Sequence, residues 1–220
     1  MRICWTQYSS VVIFGALKAR QSDESSTMKK HFVKTTLTAL VLGSVAVTNT
    51  SIAEELDETA LTQEAKGVIK VFAGDLKGTL VKGMKAKGPE HAISLCNETA
   101  PGIAEKHSAG EWKISRTSLK VRNPNNAPTE WQQQMLESFE QRKANGEDIA
   151  TIAATHVQDD NFYLVKAIPT GPVCTTCHGK ELNPTINTKL AELYPNDKAT
   201  GFAPGDIRGA FVVSKSIKGN

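Results

Sequence analysis

Apolar residues recur at spacings of three and four between residues 56 and 86. Leu61, Ala65, Val68, Ile69, Phe72, Leu76, Leu80 and Met84 fall in one register, with Lys and Glu between them. That pattern predicts a long amphipathic helix. Gly67, Gly74, Gly78 and Gly83 interrupt it, each at a cost of about 1 kcal/mol relative to alanine, so they point to close packing against a neighbour. Lys87-Gly88-Pro89 should end the helix, and Pro89 suits the first turn of the next. There Ala92, Ile93, Cys96 and Ala100 share an apolar face, while His91 lies roughly 140° around the helix and should face solvent. Pro101-Gly102 should kink or break this second helix, leaving Ile103, Ala104 and His107 on a following turn.

The period then changes. Trp112 to Thr117 alternates as a strand, with Trp112, Ile114 and Arg116 on one side. A loop dense in turn residues, Ser118 to Pro128, follows. Thr129 can cap a helix from Glu130 to about Ala144, with Trp131, Met135, Leu136 and Phe139 as its buried stripe. Thr155 to Gln158 and Phe162 to Ile168 flank Asp159-Asp160-Asn161 and read as a β-hairpin. Leu190, Leu193 and Tyr194 suggest a short helix stopped by Pro195, and Ile207 to Ser214 a last strand. Helices come first and strands pair locally, which predicts an α+β domain with a small antiparallel sheet.

The N-terminus alters the charge picture. Met28 to Lys34 is basic, Leu37 to Val47 is apolar, and Ser51-Ile52-Ala53 supplies small residues at a cleavage site before Glu54. This is the anatomy of a secretory signal peptide. Residues 1–27 precede it and are expected to be an upstream extension from a mis-assigned start. Segment 28–53 is then the signal, and 54–220 is a single domain. The chain carries 26 basic and 23 acidic residues; without 1–53 the count is 20 against 21, a net charge of −1. The apparent basicity belongs to the leader, so neither nucleic acid nor an anionic membrane surface is an expected partner. No later apolar run is long enough to span a bilayer.

The chemistry is concentrated in Cys174-Thr175-Thr176-Cys177-His178. C-x-x-C-H is the attachment sequence of a c-type haem: two thiols add to the porphyrin vinyl groups and the following imidazole binds iron. A zinc site and a thioredoxin-like dithiol are the competing readings. Zinc would want a second ligand pair, and no other C-x-x-C or H-x-x-x-H occurs. Covalent haem attachment outside the cytoplasm agrees with the export signal and places the protein in the periplasm.

The sixth iron position is open on chemistry alone. Met84 and Met135 sit on stripes that read as core, and His107 and His156 read as surface residues. Cys96 is the thiol left over once Cys174 and Cys177 carry haem, and iron would lower its pKa. An inert buried cysteine is an equal alternative.

Several segments together resemble a bacterial family. They are Ala92-Ile93-Ser94-Leu95-Cys96, Arg116 to Lys120, Arg122 to Pro128, Cys174-x-x-Cys177-His178-Gly179, and Leu193-Tyr194-Pro195 through Gly205 to Phe211. The family was long a domain of unknown function and is now known as a c-type haem domain with a PAS-like fold. The resemblance implies one covalent haem c with His178 and Cys96 as axial ligands. It also implies relatives in which the domain is the extracytoplasmic sensor of signalling proteins.

Haem propionates carry two negative charges, and arginine binds carboxylates through two hydrogen bonds. Arg116, Lys120 and Arg122 are the candidate partners, with Arg208 behind them. Phe162, Leu164, Ile168, Tyr194 and Phe211 read either as pocket walls or, equally, as core residues remote from the haem. Two functions follow: a redox or gas sensor, with CO or NO as ligands of the reduced iron, or a low-potential electron-transfer cytochrome. Either would work with a redox or signalling partner protein, and a homodimer through the first helix is open. No acid–base pair lies near the motif, so an enzyme is not expected.

Overall fold

The computed structural model describes residues 57–218; the expected extension 1–27 and signal peptide 28–53 lie outside the described residues. The first element, α1, spans Glu58–His107 and is two helical limbs joined by a sharp reversal. Lys87 (φ −147°, ψ 22°) and Gly88 (φ 81°, ψ −173°) leave helical geometry there. A positive φ at position 88 is a conformation that glycine adopts without a Cβ penalty. Near the reversal the limbs touch: a Cβ on Gly83 would lie 2.8 Å from the Ala92 Cα, so residue 83 must be glycine. Far from it, Asp75 accepts hydrogen bonds from His107 Nε2 (2.8 Å) and Lys106 Nζ (3.2 Å). Of the four glycines expected to permit close packing, only Gly83 does so; Gly67, Gly74 and Gly78 face open space.

Pro101 does not end the helix, contrary to expectation: helical geometry continues through it to His107. Ile103 and Ala104, one turn beyond, pack into the core. That burial and the Asp75 bonds offset the roughly 3 kcal/mol a mid-helix proline costs.

Four strands follow: β1 (Lys113–Thr117), β2 (Ala153–Gln158), β3 (Asn161–Pro169) and β4 (Ile207–Ser216). They form one antiparallel sheet in the order β1-β4-β3-β2. Only the β2–β3 hairpin is local. Asp159 (φ 51°) and Asp160 (φ 56°) make its two-residue turn, with the left-handed pair that matches strand twist. The expectation that strands pair only with sequence neighbours is otherwise corrected, since β4 inserts between β1 and β3. The reason is its burial on both faces, which demands a central position.

Alternation along β3 and β4 supplies two cores. On one face, Val165, Ala167, Ala210 and Val212 meet α2 (Glu130–Ala144) through Leu136 and Phe139. On the other, Leu164, Val213, Phe162 and Ile114 meet the first limb of α1 through Ala65, Ile69 and Phe72. Phe162, Leu164 and Phe211 therefore belong to this second core rather than to a pocket around Cys174–His178. The α+β architecture with a small antiparallel sheet is as the sequence predicts. Among the described residues no helix is long and apolar enough to cross a membrane.

Candidate functional site

Beyond β3 the chain passes Pro169 and enters a 3₁₀ turn, Pro172–Cys174, followed by the single helical turn α3, Thr175–His178. The turn projects Cys174 and Cys177 together and then stops. A Cβ on Gly179 would sit 2.5 Å from the Thr175 carbonyl oxygen, so only glycine lets the chain close the turn immediately after His178. Cys177 packs against Ile93 on the second limb of α1 and against Ile186 and Leu190 of α4 (Pro184–Leu193). These apolar contacts, with Tyr194, surround the motif; only Tyr194 was among the expected wall residues.

His178 is fixed from behind. Its Nδ1 lies 2.6 Å from the Ala199 carbonyl oxygen, so Nδ1–H donates and Nε2 keeps its lone pair. Phe202 stands edge-on to the imidazole at 6.3 Å. Burial, reinforced by Arg208 and Arg122, pushes the His178 pKa down to about 3. The ring is therefore neutral at physiological pH, the form that binds metal.

Residues 196–202 form a strap over this turn. Phe202 N–H donates to the His178 carbonyl at 2.9 Å, Gly201 N–H to Gly179 at 2.8 Å, and Lys198 N–H to Val121 at 2.8 Å. Lys120 Nζ donates to Thr200 O at 2.8 Å and lies 4.5 Å over the Phe202 ring. Arg122 donates from Nε to Asp197 Oδ2 (3.1 Å) and from Nη2 to the Cys177 carbonyl (2.5 Å). Sequence reasoning missed this strap because nothing in its composition marks it; Asp197 and Ala199 acquire meaning only from what they face.

Cys96 comes to the same place from the second limb of α1. Its thiol lies within electrostatic reach of Arg116, Arg122 and Cys177. Burial pushes its pKa up, and the two guanidiniums oppose that without reversing it. Arg116 is held below its usual pKa by burial, and its guanidinium makes no hydrogen bond or ion pair among the described residues. Burial together with Arg122 and Arg116 pushes Arg208 down to about 10. Its Nη1 donates to Ser118 Oγ and Lys120 O, but its buried Nε has no partner. Three guanidiniums thus converge, with one carboxylate, Asp197, among them. Donors left unpaired beside two cations fit a dianionic group such as a haem with its propionates.

Three of the other ligand candidates have partners elsewhere. His107 bonds to Asp75, His156 stacks on Trp131 at 4.6 Å, and Met135 packs against the α2 core. Among the described residues no three His, Cys, Asp or Glu side chains converge as a metal cluster, which a haem with two axial ligands does not require. A cavity of about 160 Å³ opens beside Arg122, lined also by Asn97, Asn123, Tyr194 and Asn196.

The profile of the Tll0287-like family matches residues 15–216. The crystal structure of the cyanobacterial heme-protein Tll0287 superposes with a TM-score of 0.55 at 23% identity, covering 73% of this chain and 97% of that one. At this identity the likeness is one of fold. No curated protein matches the chain.

Proposed function

Because the chain belongs to the Tll0287-like family, we propose that it is an exported, PAS-like monohaem protein of the periplasm, acting as a redox or diatomic-gas sensor module. Cys174 and Cys177 hold the haem covalently, His178 and Cys96 bind its iron, and Arg116 and Arg208 receive its propionates. Lys120 and Arg122 secure the strap. The observation that carries this reading is His178 itself: a buried neutral imidazole in C-x-x-C-H, with Nδ1 committed to Ala199 O and Nε2 left to bind. The haem-protein relative of the same fold supports it.

Bound there, the group supplies an iron whose ferric state an anionic sulfur favours and whose ferrous state takes CO or NO. The chain's own contribution is a ligand that can be given up. Burial keeps the Cys96 thiol protonated unless another charge holds it as thiolate. Its limb of α1 is then the element that moves, passing the change to a signalling partner. The cavity beside Asn97, the residue after Cys96, has room for a diatomic molecule. A second reading, a low-potential electron carrier, is favoured by the buried Arg122–Asp197 pair, which stiffens the side behind His178.

The test is the chain exported with the haem-attachment machinery. Wild type should retain haem through denaturing electrophoresis, and Cys174→Ser with Cys177→Ser should lose it. Ferric EPR should show a low-spin thiolate signature that Cys96→Ala abolishes, and the reduced form should bind CO. An EPR spectrum unchanged in Cys96→Ala would refute Cys96 ligation. A thiolate signature with no CO binding on reduction would favour electron transfer.

A further inference from the structure

Arg122 and Asp197 are 12% and 9% exposed, and both reach His178 only through other groups. Asp197 Oδ2 accepts from Arg122 Nε at 3.1 Å, while its Oδ1 accepts from the Ala199 N–H at 2.7 Å. The Ala199 carbonyl, on the same residue, accepts from His178 Nδ1 at 2.6 Å. From the other side, Arg122 Nη2 donates to the Cys177 carbonyl, the peptide that leads into His178, at 2.5 Å. The ion pair therefore grips His178 twice, once through its ring and once through its backbone. The Arg122 guanidinium is further confined by the Tyr194 ring, 5.8 Å away.

We propose that Arg122 and Asp197 are a positioning pair that fixes the tautomer, rotation and basicity of the His178 ligand. The inference rests on the haem reading above. A charge network behind a ligating histidine sets how strongly the imidazole gives its lone pair, and hence the strength of the axial bond. The alternative is that both residues act on the iron only through space. The two accounts differ in sign. Through space, loss of the Asp197 negative charge raises the reduction potential and loss of the Arg122 positive charge lowers it. As a positioning pair, Asp197 on the Ala199 N–H and Arg122 on the Cys177 carbonyl hold each other in place through the ion pair. Either loss then loosens both grips on His178, and both shift the potential and the ferric EPR pattern the same way.

The experiment compares Asp197→Asn, Arg122→Gln and the double variant in the haem-loaded chain, by potentiometry and ferric EPR, with thermal melts as a folding control. The expected result is a same-sign shift in both singles and a double variant that shifts no further than the larger single. Shifts of opposite sign, or singles that add in the double, would overturn the proposal. The haem-free chain gives a second readout: ¹⁵N NMR of the imidazole should show Nδ1–H in wild type and a tautomer mixture in both singles. Retained Nδ1–H there would also overturn it, whereas a wild-type chain that takes up no haem would count against the haem reading and leave the NMR arm decisive for this one.

Discussion

The core under α2 and the surroundings of Cys174–His178 are built on opposite principles. Between the sheet and α2, Leu136, Phe139, Ile152, Val165, Ala210 and Val212 form a closed apolar core. Its polar fringe is matched: Arg142 pairs with Glu147 and Lys143 with Asp206. Around Cys174–His178 the apolar packing is a small cluster of Ile93, Ile186 and Leu190 with Ala199 and Phe202 behind the imidazole, and three guanidiniums share one carboxylate. The first region is complete as it stands. The second leaves the buried Arg208 Nε without a partner and holds more positive than negative charge. Cations crowded into a poorly solvated site lower stability unless something neutralises them. One region therefore stabilises the fold, and the other draws on that stability.

Substitutions should separate the two regions. The largest effect belongs to the apolar side: Phe139→Ala, at a position 0% exposed, should cost about 3–5 kcal/mol in urea unfolding. Where the variant still folds, it should leave the haem spectrum unchanged. A spectral change at retained fold would break the separation.

Next is acid sensitivity traceable to His178. Its native pKa of about 3 lies below the unfolded value, taken as 6.5. Between those limits the unfolded chain binds a proton that the native chain refuses, so stability falls as pH falls. The slope should approach one proton, about 1.4 kcal/mol per pH unit, in the haem-free chain. His178→Gln should flatten it in melts run from pH 7 to 3.5.

Arg116→Gln should act in opposite directions on the two forms. It removes a half-buried cation that has no carboxylate partner, so the haem-free chain should be slightly stabilised. The loaded chain should instead lose part of its haem-dependent stabilisation, read as a smaller difference in melting temperature between loaded and empty protein. Destabilisation of the empty chain would show that Arg116 has a structural partner.

The smallest effect is remote from both regions. Hydrogen bonds from His107 and then Lys106 hold the Asp75 carboxyl below the usual carboxylate range. Its native pKa is depressed, so its contribution is fully present above the unfolded pKa of about 4 and lost as pH falls from there through the lower native value. Asp75→Asn should therefore lower the melting temperature slightly at pH 7, less in high salt, and by progressively less as the pH falls below about 4.

Much of this was legible in the sequence, for reasons particular residues make plain. C-x-x-C-H is a local geometry, one turn of backbone, so its reading needed no tertiary information. The α2 stripe of Trp131, Met135, Leu136 and Phe139 obeys a helical period, and the structure buries that face. The Asp159-Asp160 turn was likewise local. Pro101 misled because a local cost of a few kcal/mol was outweighed by contacts that Ile103 and Ala104 make with distant residues. Phe162, Leu164 and Phe211 read equally as pocket or core because alternation gives the face a residue takes but not which element covers that face; the structure puts them with the core under α1.

The sequence by itself determined the helices, the hairpin and the site's chemical vocabulary, because each is set by residues within a few positions of one another. The tertiary structure decided that β4 lies at the centre of the sheet and that α1 doubles back at Gly88. It also brought Cys96, Arg116, Asp197 and Arg208 around His178. Those four residues come from different segments of the chain, and their meeting depends on packing energies summed over both cores, which no short stretch of sequence contains.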